Sequence, residues 1–194
     1  MKATRLVVAA LLALSGTVAG HQAAAQGFYI GGSVGQSDFD DGNAIPDLIT
    51  SGTVDGTDTG FKIFGGYQFN QNFGLELAWV DLGKASYSGT FQGTPVTGGT
   101  VKTYGLNLSA VGTLPLGSSG FSLFGKAGFY SWEAKANDVT GGLPFSGKQD
   151  GSDLSYGIGA SYDFTKNLGI RAEWERFEAV DNIDLLSVGV VYKF

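Results

Sequence analysis

From Gln26 onward apolar and polar residues alternate with a period of two in run after run, and no segment there repeats its apolar positions at the helical period. The alternation predicts eight strands, near residues 27–35, 60–69, 73–82, 101–112, 120–131, 153–164, 167–177 and 184–194. One alternate set on each strand is apolar or aromatic, as in Phe73, Leu75, Leu77 and Trp79, or in Leu186, Val188, Val190, Tyr192 and Phe194. The other set is small or polar, as in Thr103, Gly105, Asn107 and Ser109, or in Gly157, Gly159 and Ser161. A soluble sandwich would place bulky Lys, Glu and Thr on its wet faces. A narrow polar face rich in Gly and Ser fits instead the crowded lumen of a small barrel whose greasy face meets lipid.

The connections alternate in length. Residues 36–59, 83–100 and 132–152 read as long polar loops, whereas Asn70-Gln71-Asn72, residues 114–119 and Thr165-Lys166 are short. Transmembrane barrels have this asymmetry, with short periplasmic turns and long outer loops, and an even strand number puts both termini in the periplasm. Aromatic residues near strand ends, among them Phe28, Tyr67, Phe69, Trp79, Phe129, Trp132, Tyr162, Phe164 and Trp174, are expected to form the two interfacial girdles. The expected fold class is therefore all-β: an eight-stranded antiparallel up-and-down transmembrane β-barrel over residues 26–194.

The N-terminus has the build of a secretory signal peptide. Lys2 and Arg5 form a positive start, residues 6–18 an apolar stretch too short to span a bilayer, and Ala23 and Ala25 the small residues that precede cleavage before Gln26. Residues 1–25 are expected to be removed. Losing Lys2 and Arg5 takes the formal charge from −6 to −8, which makes nucleic acid an improbable partner. Cys 0 leaves an exported chain without disulfides, thiol nucleophiles or thiolate metal sites, so its stability has to come from ring closure.

An imperfect repeat runs through the chain at a spacing of 95 residues: YQFNQNFGLELAW, Tyr67 to Trp79, aligns without gaps with YDFTKNLGIRAEW, Tyr162 to Trp174. Each copy covers a strand end, a turn and most of the next strand, on walls that an eight-stranded ring sets opposite each other. Shared turn chemistry is the plain alternative source of the match. Within the repeat Glu76 aligns with Arg171, both on the inward set, so opposite charges are expected to face one another across the lumen. The same phase turns Lys62, Lys126, Asp163, Glu173, Glu175 and Lys193 inward. Unpaired charges in a narrow lumen are costly. This predicts an ion-pair network centred on Glu76, Lys126, Arg171 and Glu173, with Asp163, Glu175 and Lys193 nearer strand ends and solvated.

These residues resemble the transmembrane domain of the outer membrane protein A-like family, eight-stranded β-barrels of Gram-negative outer membranes. The resemblance covers Gln26 to Phe194 and rests on GGYQFNQNFGLELAW with Glu76, FGKAGFY with Lys126, LGIRAEW with Arg171 and Glu173, and the terminal LLSVGVVYKF. It implies a buried charge cluster at those four positions. It also implies that Tyr192 and Phe194 belong to a C-terminal signal read by the outer membrane insertion machinery, and that the surroundings are outer membrane lipid and lipopolysaccharide. Larger relatives continue into a periplasmic peptidoglycan-binding domain past the point corresponding to Phe194, so the resemblance gives no expectation of a cell-wall tether.

Candidate chemistry is sparse. The single histidine, His21, lies within the predicted leader, which removes the usual general base and argues against an enzyme. SDFDDGN, with Asp38, Asp40, Asp41 and Asn43, resembles a calcium loop in part, but Gly42 occupies a ligand position and no Glu follows at the twelfth. No catalytic, cofactor or metal site is expected. The function this predicts is a monomeric barrel with a structural, membrane-integrity role, its lumen closed by ion pairs and its loops displayed outside. The alternatives are a loop-mediated adhesin or ligand-binding surface protein and a narrow channel for small solutes.

Overall fold

A computed structural model describes residues 26–39, 49–91, 94–140, 143–179 and 182–194; within these strands the side chains of 49–55, 87–99 and 138–145 are left aside. The predicted leader with His21 lies outside the described residues, as do Asp40, Asp41 and Asn43. The described elements are all strands: β1 (Gly27–Phe39), β2 (Ile49–Asp55), β3 (Thr57–Gln68), β4 (Phe73–Phe91), β5 (Thr94–Pro115), β6 (Phe121–Thr140), β7 (Leu143–Asp163), β8 (Leu168–Glu178) and β9 (Asn182–Lys193). Eight of them close a ring in the order β4-β3-β1-β9-β8-β7-β6-β5, with β5 returning to β4, and every pairing is antiparallel. The seam joins β1 to β9, with Val34 opposite Val188, so the barrel has no free edge.

Two features were not legible as strand. Segment 49–55 forms a ninth strand, β2, which pairs with the far part of β4 outside the ring. The stretches 83–91, 94–100, 132–140 and 143–152, read as loops, continue β4 to β7 as two tall hairpins. Pro95 and Pro144, expected as loop punctuation, lie near the first residues of strands opposite Thr90 and Val139. Once past the lipid both faces of a strand meet water, so the apolar alternation ends although the main-chain ladder continues.

Side-chain direction is the reverse of a soluble protein's. Ile158, Leu186 and Val188 are 66%, 64% and 62% exposed on the outer face, where lipid covers them. Near the short turns the rings of Phe28 and Tyr67, Phe121 and Tyr162, and Tyr192 and Phe194 pair at 4.8, 4.4 and 5.1 Å; Phe61 and Trp79 pair at 5.3 Å toward the other rim. Trp132 corrects the girdle expectation. It is buried inside the barrel, its Nε1 donating to Asp153 at 2.7 Å.

The turns of the two repeat copies are built alike. Asn70 Oδ1 accepts the backbone N–H groups of Asn72 and Phe73, and Thr165 Oγ1 accepts those of Asn167 and Leu168 in the equivalent turn. The aligned Asn72 and Asn167 each tie their turn to the end of a neighbouring strand, donating to Thr113 O of β5 at 3.0 Å and Lys193 O of β9 at 2.7 Å. β4 and β8, which carry Glu76 and Arg171, stand on opposite walls of the ring.

Candidate functional site

The lumen is the site, and the period-two geometry builds it. Inward positions fall on even residues of β3, on Glu76 and its alternates in β4, on even residues of β6 and on odd residues of β8. This brings Lys62, Glu76, Lys126, Arg171, Glu173 and Glu175 into one cluster. Arg171 grips Glu76 with both terminal nitrogens, at 2.7 and 3.0 Å, and reaches Glu173 at 3.0 Å. Lys126 touches Glu76, Glu173 and Glu175 at 3.2, 2.8 and 2.5 Å. Lys62 bonds both Glu173 and Glu175. The Tyr29 hydroxyl donates to Glu76 at 3.0 Å, and the Arg171 guanidinium lies 3.6 Å from the centre of the Phe64 ring.

Three cations thus meet three carboxylates in a closed, neutral set, each residue at most 7% exposed. A lone charge there would carry a desolvation penalty of several kcal/mol, which this mutual pairing offsets. The structure joins Glu76, Lys126, Arg171 and Glu173 and adds two partners. Glu175, expected near a solvated strand end, is buried at 2% exposure, because Lys62 and Lys126 pair with it and the inward Phe177, next on its face of β8, is itself fully buried. Lys62 belongs to the cluster as well. Asp163 and Lys193 pair separately at 2.6 Å near the short turns, and both are partly exposed.

Glycines on the inward faces make room for these charges. A Cβ on Gly159 would come within 2.4 Å of Phe124 and 2.9 Å of the Glu173 Cβ, and one on Gly66 within 2.3 Å of Tyr29.

Above the charges, toward the tall hairpins, the lumen changes character. Phe39, Val80, Leu82, Tyr130, Trp132, Phe177, Ile183 and Leu185 form an apolar plug, with the Tyr130 and Phe177 rings 4.8 Å apart. An inward set read as uniformly small and polar missed it. The signal was present in Tyr130, Trp132, Phe177, Ile183 and Leu185, which keep the inward phase of their strands. Between plug and charges lie small polar groups, including Asn107, whose Oδ1 accepts from Ser155 at 2.8 Å. Among the described residues no cluster of acidic groups or histidines is placed to hold a metal.

Tyr192 and Phe194 point outward at the seam, 46% and 75% exposed, and the Phe194 N–H donates to Phe28 O at 3.0 Å. Outside the apolar band, Glu133 on β6 accepts hydrogen bonds from Lys148 and Tyr104, which hold its carboxyl down at about 2, and it remains ionised at any physiological pH.

A family model described as outer membrane protein beta-barrel domain matches residues 7–194. Outer membrane protein A of Yersinia pseudotuberculosis is 30% identical over 205 aligned positions, covering 100% of this chain and 56% of that protein. The Shigella flexneri protein is 29% identical over 205 positions, with 100% and 56% covered. The chain thus spans a little over half the length of the curated relatives it matches. Among solved structures, the outer membrane protein OprG of Pseudomonas aeruginosa superposes with a TM-score of 0.59 at 18% identity, over 90% of this chain and 98% of that one. Ail, the attachment invasion locus protein of Yersinia pestis, superposes with a TM-score of 0.56 at 20% identity, over 89% and 100%. At such identities these two report the fold alone. Sequence match, ring topology and lipid-facing exterior together place the chain in the outer membrane protein β-barrel family, as an OmpA-like transmembrane barrel of the Gram-negative outer membrane.

Proposed function

We propose that this protein is a structural barrel of the outer membrane, which strengthens the bilayer and does not conduct. The observation that carries this reading is the lumen: a neutral cluster of six buried charges lies beneath an apolar plug in which Val80, Leu82, Tyr130, Phe177 and Leu185 are fully buried. An eight-stranded barrel has an interior only wide enough for side chains, and here they fill it. Both termini lie in the periplasm and the tall hairpins point outward. Residues 1–25 act as a leader removed before Gln26, and Tyr192 and Phe194 engage the insertion machinery. The barrel works as a monomer, with lipopolysaccharide around its outer half, and we assign it no catalytic part.

A second reading, a binding surface, is supported by the β4–β5 and β6–β7 hairpins, which run past the apolar band to the segments at 92–93 and 141–142. Deleting the gene and complementing it separates the two. The expected result is that the deletion strain takes up a hydrophobic dye and becomes sensitive to detergent. A form with both hairpins trimmed should restore resistance and start at Gln26 when recovered from the outer membrane. Restoration by the untrimmed chain alone would move the function to the hairpins.

A further inference from the structure

At the foot of the tall hairpins the register lines up four lysines. Lys84 on β4 is opposite Lys102 on β5, Lys102 opposite Lys135 on β6, and Lys135 opposite Lys148 on β7. All four side chains are exposed on the outer face. A bulge completes the row: the register shifts by one residue between Asp81 and Lys84, with Gly83 at φ 76°, and this turns Lys84 outward opposite Lys102. Adjacent strands lie about 4.8 Å apart, so the row spans roughly 14 Å.

Like charges directly opposite one another on neighbouring strands destabilise a sheet. Four in one row call for counter-charge, and the chain supplies only part of it. Lys102 pairs with Asp81 at 2.9 Å, and Lys135 and Lys148 share Glu133 at 3.2 and 2.5 Å. Asp150 stands opposite Glu133, and Lys84 takes part in none of the ion pairs among the described residues. About half of each of the Lys102, Lys135 and Lys148 side chains remains open to solvent, at 50%, 52% and 55%.

The opposite wall differs. There Arg176 is held bidentate by Asp184, which faces Asp38 across the β9–β1 pair, so that side is self-neutralised and acidic. A row of cations on one wall of a chain of net charge −6 is not a general surface property.

Height decides what meets the row. The last large apolar residue below it on β5 is Leu106, which puts Lys102 roughly 10 Å higher along the membrane normal for a tilted strand, and the row itself runs obliquely, climbing roughly 9 Å from Lys84 to Lys148. That span starts where the outer apolar band ends and covers the phosphorylated sugars directly above the acyl chains of the outer leaflet. We infer that Lys84, Lys102, Lys135 and Lys148 form a docking row for the phosphate groups of one lipopolysaccharide molecule, seated against the β4–β7 wall. The row fixes that lipid beside the barrel, which gives the structural role a specific lipid contact. The inference rests on the reading that the tall hairpins face outward.

The test uses the purified, folded chain in detergent and follows tryptophan fluorescence as deep-rough lipopolysaccharide is added, intact or dephosphorylated. The wild type is expected to bind the intact form about tenfold or more tightly than the dephosphorylated form, in a salt-sensitive manner. The combined Lys84→Gln, Lys102→Gln, Lys135→Gln and Lys148→Gln variant is expected to lose that preference, and Arg176→Gln to keep it. Equal binding of intact and dephosphorylated lipid by the wild type, or an undiminished preference in the combined variant, overturns the proposal. So does row-dependent binding of a sulfated polysaccharide without lipid discrimination, or row-dependent self-association. If the combined variant does not fold, Lys84→Gln and Lys148→Gln singly, each expected to weaken the preference, decide the matter. An epitope inserted between residues 141 and 142 and stained on intact cells tests the orientation separately.

Discussion

Glu76→Gln is expected to destabilise the barrel by about 3–5 kcal/mol, the usual cost of removing one partner from a buried ion pair. Glu76 accepts both terminal nitrogens of Arg171, the ammonium of Lys126 and the Tyr29 hydroxyl. Without its charge, three cations face two carboxylates in a dry lumen. Pairing the change with Lys126→Met restores neutrality and leaves Arg171 and Lys62 with Glu173 and Glu175. The double variant should therefore lose clearly less than the sum of the two singles. Urea unfolding in lipid vesicles, followed by the fluorescence shift and by the gel mobility of unheated samples, measures all three. Strict additivity would mean that these charges are solvated independently and that the closed network is wrong.

Phe177→Ala is expected to cost a comparable ~3–5 kcal/mol, for a different reason. Phe177 is fully buried in the apolar plug and packs against Tyr130 at 4.8 Å. Its loss opens a cavity between strands that the closed hydrogen-bonded ring keeps from collapsing. Phe177→Leu, which keeps most of the volume, should recover a large part of the loss. The same unfolding measurement reads both, and an alanine variant as stable as wild type would show that the plug is loosely packed.

The two variants probe parts of the lumen that were unequally legible in the sequence. Period two was strong wherever one face met lipid, so the eight ring strands and the inward phase of Glu76, Lys126, Arg171 and Glu173 could be read directly. Lys62 and Glu175 had the right phase, but how they meet depends on strand stagger, which alternation does not encode. The plug was hidden because aromatic residues near a strand end fit a girdle as well as a lumen; only the parity of Trp132 against Phe129 on β6 separates the two. The hairpin extensions and β2 were invisible for want of alternation in residues wet on both faces. The lysine row was less legible still, since it requires the register of four strands and the bulge at Gly83, and its members lie 18, 33 and 13 residues apart in the chain.

The fit of lumen to side chains is the centre of the account, and planar bilayer recording of the purified, folded chain tests it most directly. A barrel filled by a six-charge neutral cluster and an apolar plug should insert without producing discrete conductance steps, at low and at high salt alike. Regular steps from the wild-type chain, scaling with ionic strength, would mean a continuous water path past Arg171 and Phe177, and the closed-lumen account would be wrong.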